Sequence, residues 1–365
     1  MRSMLIVLTL GLTAVHAAPD PHHLPLGDGK ISSQPQRGYV YVCNSRFDGG
    51  GAQVKGDWIQ GAFWDETRKL SVQGQVSWPD ARFSISLSAD SRLLQGNGLP
   101  LGHVTGVFPV ARSDPAYAVD RNPNRISSHT VQIRLPRQPL RAAQPSCVPM
   151  GMIGVALSGV AIYNALDAGG RDAVAHEVQD RCNGHPQREG EYHYHGPSPC
   201  LEGANERGKL LGYALDGFGI YSSVDESGRE LGNADLDECH GRTAPVWWEG
   251  LRVMLYHYVL TREYPYTMGC FRGTPVRVAS RSGNGENGAP GMPGNAPAGG
   301  QGGAQRQGQE GYAGGGRVPP PEAQVACQGQ AEGSGCRFVT PRGDVLHGQC
   351  RQMPGNVVAC VPASR

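Results

Sequence analysis

Ten cysteines in two even sets constrain this chain more than any other feature. Six lie at Cys43, Cys147, Cys182, Cys200, Cys239 and Cys270, and four at Cys327, Cys336, Cys350 and Cys360. Between the sets, Arg281 to Pro321 is dominated by Gly, Pro, Ala, Gln and Asn, with Met292, Tyr312 and Val318 as its few larger apolar residues. Such a stretch cannot bury a core, and its glycines lack the strict period of collagen. As a flexible chain of about 40 residues it would span about 35 Å. The expected plan is a large cross-linked body, a linker and a small cross-linked tail.

Whether the cysteines pair depends on the compartment. Arg2, the apolar run Leu5 to Val15 and the small-residue site Val15-His16-Ala17 predict a signal peptide over residues 1–17. Its apolar run is too short to span a bilayer, and no cysteine follows the cleavage site to carry a lipid. An exported chain meets an oxidising compartment, where even cysteine sets become disulfides. Six cysteines allow fifteen connectivities and four allow three; the expected body pairs are Cys43–Cys147, Cys182–Cys200 and Cys239–Cys270. The second would close a loop around the most chemically loaded segment of the chain. For the tail, a four-cysteine zinc site is the rival to disulfides. The tail is too small for a hydrophobic core alone, and two hairpins with an attachment or recognition role are expected there. His347 in the tail stands alone and is expected to be solvated.

The loaded segment is His176 to Cys200, HEVQDRCNGHPQREGEYHYHGPSPC. At its centre Tyr192-His193-Tyr194-His195 alternates and is closed by Gly196-Pro197, which predicts a short strand. Period two sends His193 and His195 to one face and Tyr192 and Tyr194 to the other. Paired imidazoles can chelate zinc, copper, iron or nickel.

Around this tetrapeptide the chain resembles the YHYH family of secreted proteins. The resemblance rests also on Gly98-Leu-Pro-Leu-Gly-His103, Asp114-Pro-Ala-Tyr117 with Asp120-Arg-Asn-Pro123, and Cys182-Asn-Gly-His185-Pro. It continues through Asp216-Gly-Phe-Gly-Ile-Tyr221 and Pro265-Tyr266 followed by Gly269-Cys270-Phe271. It implies a shared fold and a shared pocket, but no substrate.

The rest of the body reads as mainly β, an α+β chain with one short helix, and a disulfide-bonded sandwich or barrel-like architecture is expected. Tyr39 to Cys43, Trp58 to Trp64, Leu70 to Val76, Phe83 to Leu87 and Ile126 to Leu135 have β-branched and aromatic strand composition between Gly, Asp, Asn and Pro turns. The apolar run Val148 to Ile162 is broken by Pro149, Gly151, Gly154 and Gly159 and predicts buried strand rather than a membrane span. Arg171 to Arg181 predicts a short helix stopped by Asn183-Gly184. Lys209 to Tyr221 predicts two strands around an Asp216-Gly217 turn. Residues 18–37 form a leader whose His22-His23 pair is expected to be solvated. The domain limits are 18–37 for this leader, 38–279 for the body, 280–322 for the linker and 323–365 for the tail.

Tyr256-His257-Tyr258, in a predicted strand from Leu251 to Thr261, echoes the central motif with a valine where the second histidine would stand. Were the two strands to pair, His193, His195 and His257 could form a three-imidazole site. His185, His176 and His103 are further candidate ligands. His129 is expected on the apolar side of its strand, hydrogen-bonded within the core. Asp216 could be a general base or could orient a ligand; its other role is to close its own turn. Asn233, Asp235 and Asp237 alternate, but the glycine and terminal glutamate of a calcium loop are missing.

Net charge is +1, with no basic stripe for nucleic acid and no cationic run for an anionic membrane. No G-x-S-x-G is present and each cysteine is expected to be paired, so neither a serine nor a cysteine nucleophile is expected. Two classes remain. One is a metal-dependent enzyme, hydrolytic with zinc or oxidative with copper or iron, copper or zinc being the favoured ions. The other is a non-catalytic extracellular protein that binds metal, glycan or peptide.

Overall fold

The computed structural model describes residues 18–47, 49–278, 323–324, 326–327, 330–339, 345–353 and 357–362. The signal peptide and the Gly/Pro-rich linker read from the sequence lie outside the described residues. Two compact units divide the chain, Met1–Pro290 and Gly291–Arg365.

The first unit is organised by an eight-stranded mixed sheet. In chain order its strands are β1 (Met152–Ala156), β2 (Ala161–Tyr163), β3 (Gly184–Pro186), β4 (Tyr192–Tyr194), β5 (Leu210–Ala214), β6 (Gly219–Ser222), β7 (Gly241–Trp248) and β8 (Leu251–Leu260). Across the sheet they lie in the order β3-β4-β2-β1-β5-β6-β8-β7. The pairs β2–β4 and β6–β8 are parallel; the other neighbours are antiparallel. The central strands are apolar without alternation because both faces are covered: Ile153, Val155, Ala156, Ala161, Ile162, Leu211 and Ala214 are all buried. This explains the apolar run after Cys147, and no helix among the described residues is long and apolar enough to cross a membrane.

Smaller sheets complete the unit. Phe83–Leu87, Ser91–Gly96 and Val131–Pro136 form one meander, and Leu24–Pro25, Ile59–Gln60 and Phe63–Trp64 form another small sheet. The main sheet stays open, with β3 and β7 at its edges, so the barrel-like alternative gives way to a central sheet with satellites.

Several expected elements are shorter than their sequences suggest, for tertiary reasons. Of the helix expected over 171–181, only α1 (Ala173–His176) forms. Asp172 caps it by accepting from the Ala175 N–H, but beyond Glu177 the backbone is claimed elsewhere. The Val178 N–H donates to Asp120 Oδ2 at 3.1 Å and the Gln179 carbonyl accepts from the Val72 N–H at 3.0 Å. The stretch Leu70 to Val76 offers only isolated bridges at Val72 and Val76. His129 precedes its strand, and its N–H donates to the Asn97 carbonyl.

All three expected body disulfides are present, Cys43–Cys147, Cys182–Cys200 and Cys239–Cys270. In the second unit Cys327–Cys350 and Cys336–Cys360 pair, leaving no thiolate for zinc. They staple an antiparallel sheet of Gly335–Val339, Val345–Met353 and Val357–Pro362, which is two hairpins sharing a strand.

Asp216 sits in the β5–β6 turn, where it is buried and fully engaged. Its Oδ2 accepts from the Tyr258 hydroxyl at 2.6 Å and the Gly273 N–H at 2.9 Å, and its Oδ1 from the Phe218 N–H at 3.3 Å. Burial pushes its carboxyl above the usual range, against these donors. Asp216→Ala removes the acceptor of three buried donors and should cost about 3 kcal/mol, a drop in Tm on the order of 5–10 °C for a unit of this size. Calorimetry of the variant checks this.

Candidate metal centre

Strand β4 delivers the two histidines as its pleat dictates. His193 and His195 are buried on one side, and Tyr192 and Tyr194 are buried on the other. The His193 Nδ1 lies 3.1 Å from the Glu191 carbonyl and the His195 Nδ1 lies 2.5 Å from the Asn164 carbonyl. A carbonyl only accepts, so each Nδ1 must carry the ring's hydrogen. A neutral imidazole has a single N–H, which leaves both Nε2 atoms as bare lone pairs. Those two atoms are 3.0 Å apart. Two lone pairs at that separation repel unless a cation lies between them. A proton is a poor cation here: burial holds His193 well below the ordinary histidine range and brings His195 down to about 4. A metal ion is the alternative, with neutral imidazole as its natural ligand.

Two more donors complete the cluster. β3 runs antiparallel beside β4 and sets His185 opposite His193. The imidazoles of His185, His193 and His195 each offer a nitrogen, all within 4.8 Å of one another. Glu177, just past α1, brings Oε2 to 3.4 Å from the His185 Nε2 and 3.5 Å from the His195 Nε2. Neither Glu177 Oε2 nor His185 Nε2 makes a hydrogen bond. Ligands bound at about 2.0–2.1 Å in a tetrahedron are about 3.3 Å apart, and the spacings of 3.0, 3.4 and 3.5 Å bracket that value. Burial, then the charges of Asp120 and Asp167, pushes Glu177 well above the usual carboxylate range. Burial and the neighbouring imidazoles push His185 well below its own. In each case burial disfavours the charged form for want of an opposite charge nearby. A bound cation would supply that opposite charge, so the group could hold a metal ion.

The surroundings hold the rings in place. Tyr163 of β2 stacks on His193 with centroids 3.9 Å apart and donates its hydroxyl to Glu191 Oε2. Glu191 Oε1 is 3.0 Å from the His129 Nε2, so the buried His129 anchors the residue whose carbonyl orients His193. His185 is the least committed ring. Its Nδ1 has only the Asn122 amide nitrogen at 3.4 Å, and that amide already donates to the Pro186 carbonyl. The Cys182–Cys200 disulfide brackets His185, His193 and His195 in sequence.

The other candidates go elsewhere. His103 lies on the tyrosine side of β4, with its Nε2 2.6 Å from the Tyr194 hydroxyl. His176 turns to Asp28, 2.8 Å away. His257 is on β8, separated from β4 by β2, β1, β5 and β6. At about 4.8 Å per strand this is roughly 24 Å, so the proposed meeting of His257 with His193 and His195 does not occur. Parallel pairing places each YHY strand beside its own hairpin rather than beside the other. Asp216 belongs with Tyr258 in that distant half. Tyr192, Tyr194, His185, His193, His195 and His257 are all buried.

Glu177 is a candidate donor that the sequence pattern does not signal. It stood beside His176 on a supposed helix, where a carboxylate looks solvated. Only the early end of α1 turns it inward.

Residues 132–229 match the family model described as YHYH protein. No curated protein and no solved structure matches the chain. The matched segment contains Glu177, His185, His193 and His195.

Removing the bracket tests how far the cluster depends on it. Cys182→Ser/Cys200→Ser should lower stability to urea by about 3 kcal/mol, from loop entropy alone. It should also broaden the histidine ring signals of His185, His193 and His195 in NMR spectra, with little change at His257.

Proposed function

We propose that this YHYH-domain protein is an exported protein that binds one transition-metal ion through His185, His193, His195 and Glu177. The observation that carries the reading is the 3.0 Å approach of two buried Nε2 atoms whose partner nitrogens are both committed to carbonyls. Three imidazoles and one carboxylate suit zinc or copper, with iron as a third choice. The Nδ1–carbonyl bonds are the outer contacts that metal-binding histidines use to fix tautomer and ring angle. Export is supported by the signal-peptide pattern of residues 1–17 and by five disulfides. The small tail unit is assigned an attachment role.

Closed sites with four protein donors hold metal as part of the fold, whereas catalytic sites keep a position open. All four donors here are buried, which favours retention of the ion. A hydrolytic or oxidative enzyme is the second reading. It is supported by Glu177, whose side chain is 11% exposed against 4% and 5% for His185 and His195, as the one ligand that could yield its place to a small substrate.

Elemental analysis of the exported, disulfide-intact protein after extensive dialysis decides the matter. Near one equivalent of zinc, copper or iron is expected, falling to background in His193→Ala/His195→Ala. A folded wild-type protein that retains none, even after each ion is offered back, would remove the metal reading.

A further inference from the structure

The sheet order has a symmetry that extends the echo between the two YHY segments. Adding four to each strand number turns β3-β4-β2-β1 into β7-β8-β6-β5, and the full order is one half followed by the reverse of the other. Strand directions agree throughout: β3–β4 and β7–β8 are antiparallel, β4–β2 and β8–β6 are parallel, and β1–β2 and β5–β6 are antiparallel. The halves meet at β1–β5, where Gly154 pairs with Ala214, Val155 with Tyr213 and Ala156 with Gly212. A twofold axis through the Val155–Tyr213 pair exchanges these partners.

The sequence follows the same operation. IGVALSGVAIY at 153–163 aligns with LGYALDGFGIY at 211–221, and Asp167 with Gly170-Arg171 aligns with Asp225 and Gly228-Arg229. Asp180, Cys182 and Gly184 align with Asp237, Cys239 and Gly241, and Tyr192-His193-Tyr194 with Tyr256-His257-Tyr258. Contacts are duplicated as well. Tyr192 donates to Asp180 Oδ1 at 3.0 Å and Tyr256 to Asp237 Oδ1 at 3.1 Å. The His193 Nδ1 is held by the carbonyl two residues before it at 3.1 Å, and the His257 Nδ1 likewise at 3.0 Å. Tyr163 packs on His193 and Tyr221 on His257, with centroids 3.9 Å and 4.9 Å apart. At Gly184 and Gly241 a Cβ would collide with the tyrosine of the adjacent strand, at 2.2 and 2.3 Å.

The halves part company where the donors sit. The position of His185, opposite His193, is filled by Arg242, opposite His257. The position of His195 is filled by Val259. We propose that the sheet is a duplicated unit whose second half keeps the frame of a metal site around His257, with the guanidinium of Arg242 standing in for the ion. Strand register sets this organic cation opposite the imidazole, where a bound inorganic one would otherwise lie, and it adds to burial in bringing His257 down to about 4. The second half is therefore a latent site for the same class of ligand, a divalent transition metal held by three imidazoles. The chemistry of that ligand rests on the reading proposed above, while the duplication does not.

The test is Arg242→His/Val259→His in the full chain, compared with wild type after both are incubated with zinc or nickel and passed through gel filtration. One equivalent of metal more than wild type is expected, whatever wild type holds. A folded variant with no additional metal would overturn the proposal. Wild type without metal beside a variant with one equivalent would sustain the latent site and remove the His185 site instead. Should the variant fail to fold, the reverse exchange decides: His185→Arg/His195→Val gives the first half the residues of the second. It should fold with its disulfides formed and melt within a few degrees of chelator-treated wild type. Failure of both exchanges to fold would show that the halves are not interchangeable and overturn the duplication.

Discussion

The cost of withdrawing three imidazoles and a carboxylate from water governs the first unit. Each of these groups alone would be exposed or neutralised in a protein interior. Here they are gathered at one point, with the outer nitrogens of two rings tied to the backbone carbonyls of Glu191 and Asn164. Much of the local architecture serves that gathering. The pleat of β4 aims two rings, the short pairing with β3 adds a third, and the one-turn helix α1 ends early enough to let Glu177 turn inward. The tyrosines on the opposite face have their own hydrogen-bond partners in Asp180 and His103, so the polar tips of that face are satisfied apart from the histidines.

Much of this was legible in the sequence because it is local. Alternation in Tyr192 to His195 fixes which rings share a face, and the Asp-Gly turn at 216–217 fixes the hairpin around it. Pairing consecutive cysteines, one of fifteen possibilities, matches the body disulfides, whereas the tail pairs its first cysteine with its third and its second with its fourth. Illegible were the features decided by distant partners. Helix propensity over 171–181 is overridden because the Val178 N–H donates to the Asp120 carboxylate and the Gln179 carbonyl accepts from the Val72 N–H, and that override is what makes Glu177 a candidate donor. The same limit misplaced His257: a tripeptide repeat says that two strands are alike, not that they are adjacent. Likeness here arises from each strand occupying the equivalent place in its own half.

The duplication also changes how Asp216 is understood. Its counterpart in the first half is Ser158, at the corresponding turn, but the tyrosine partners differ: Asp216 accepts from Tyr258 at 2.6 Å, whereas the Tyr194 hydroxyl meets the His103 Nε2 at 2.6 Å. The two halves thus solve one problem, a buried tyrosine hydroxyl behind a histidine strand, with different side chains. A carboxylate in that role is structural.

An open sheet must also stop growing. At one margin β3 is three residues long, too brief a template for a passing chain. At the other, β7 is eight residues long and lies near the exposed side chains of Trp247, Leu251 and Met254, which would invite strand addition. Pro245 in the middle of β7 interrupts its run of N–H donors, a substitution that sheets accept at their margins. The molecule can therefore leave an apolar rim in solvent while denying an incoming strand a continuous ladder, which guards it against polymerising edge to edge.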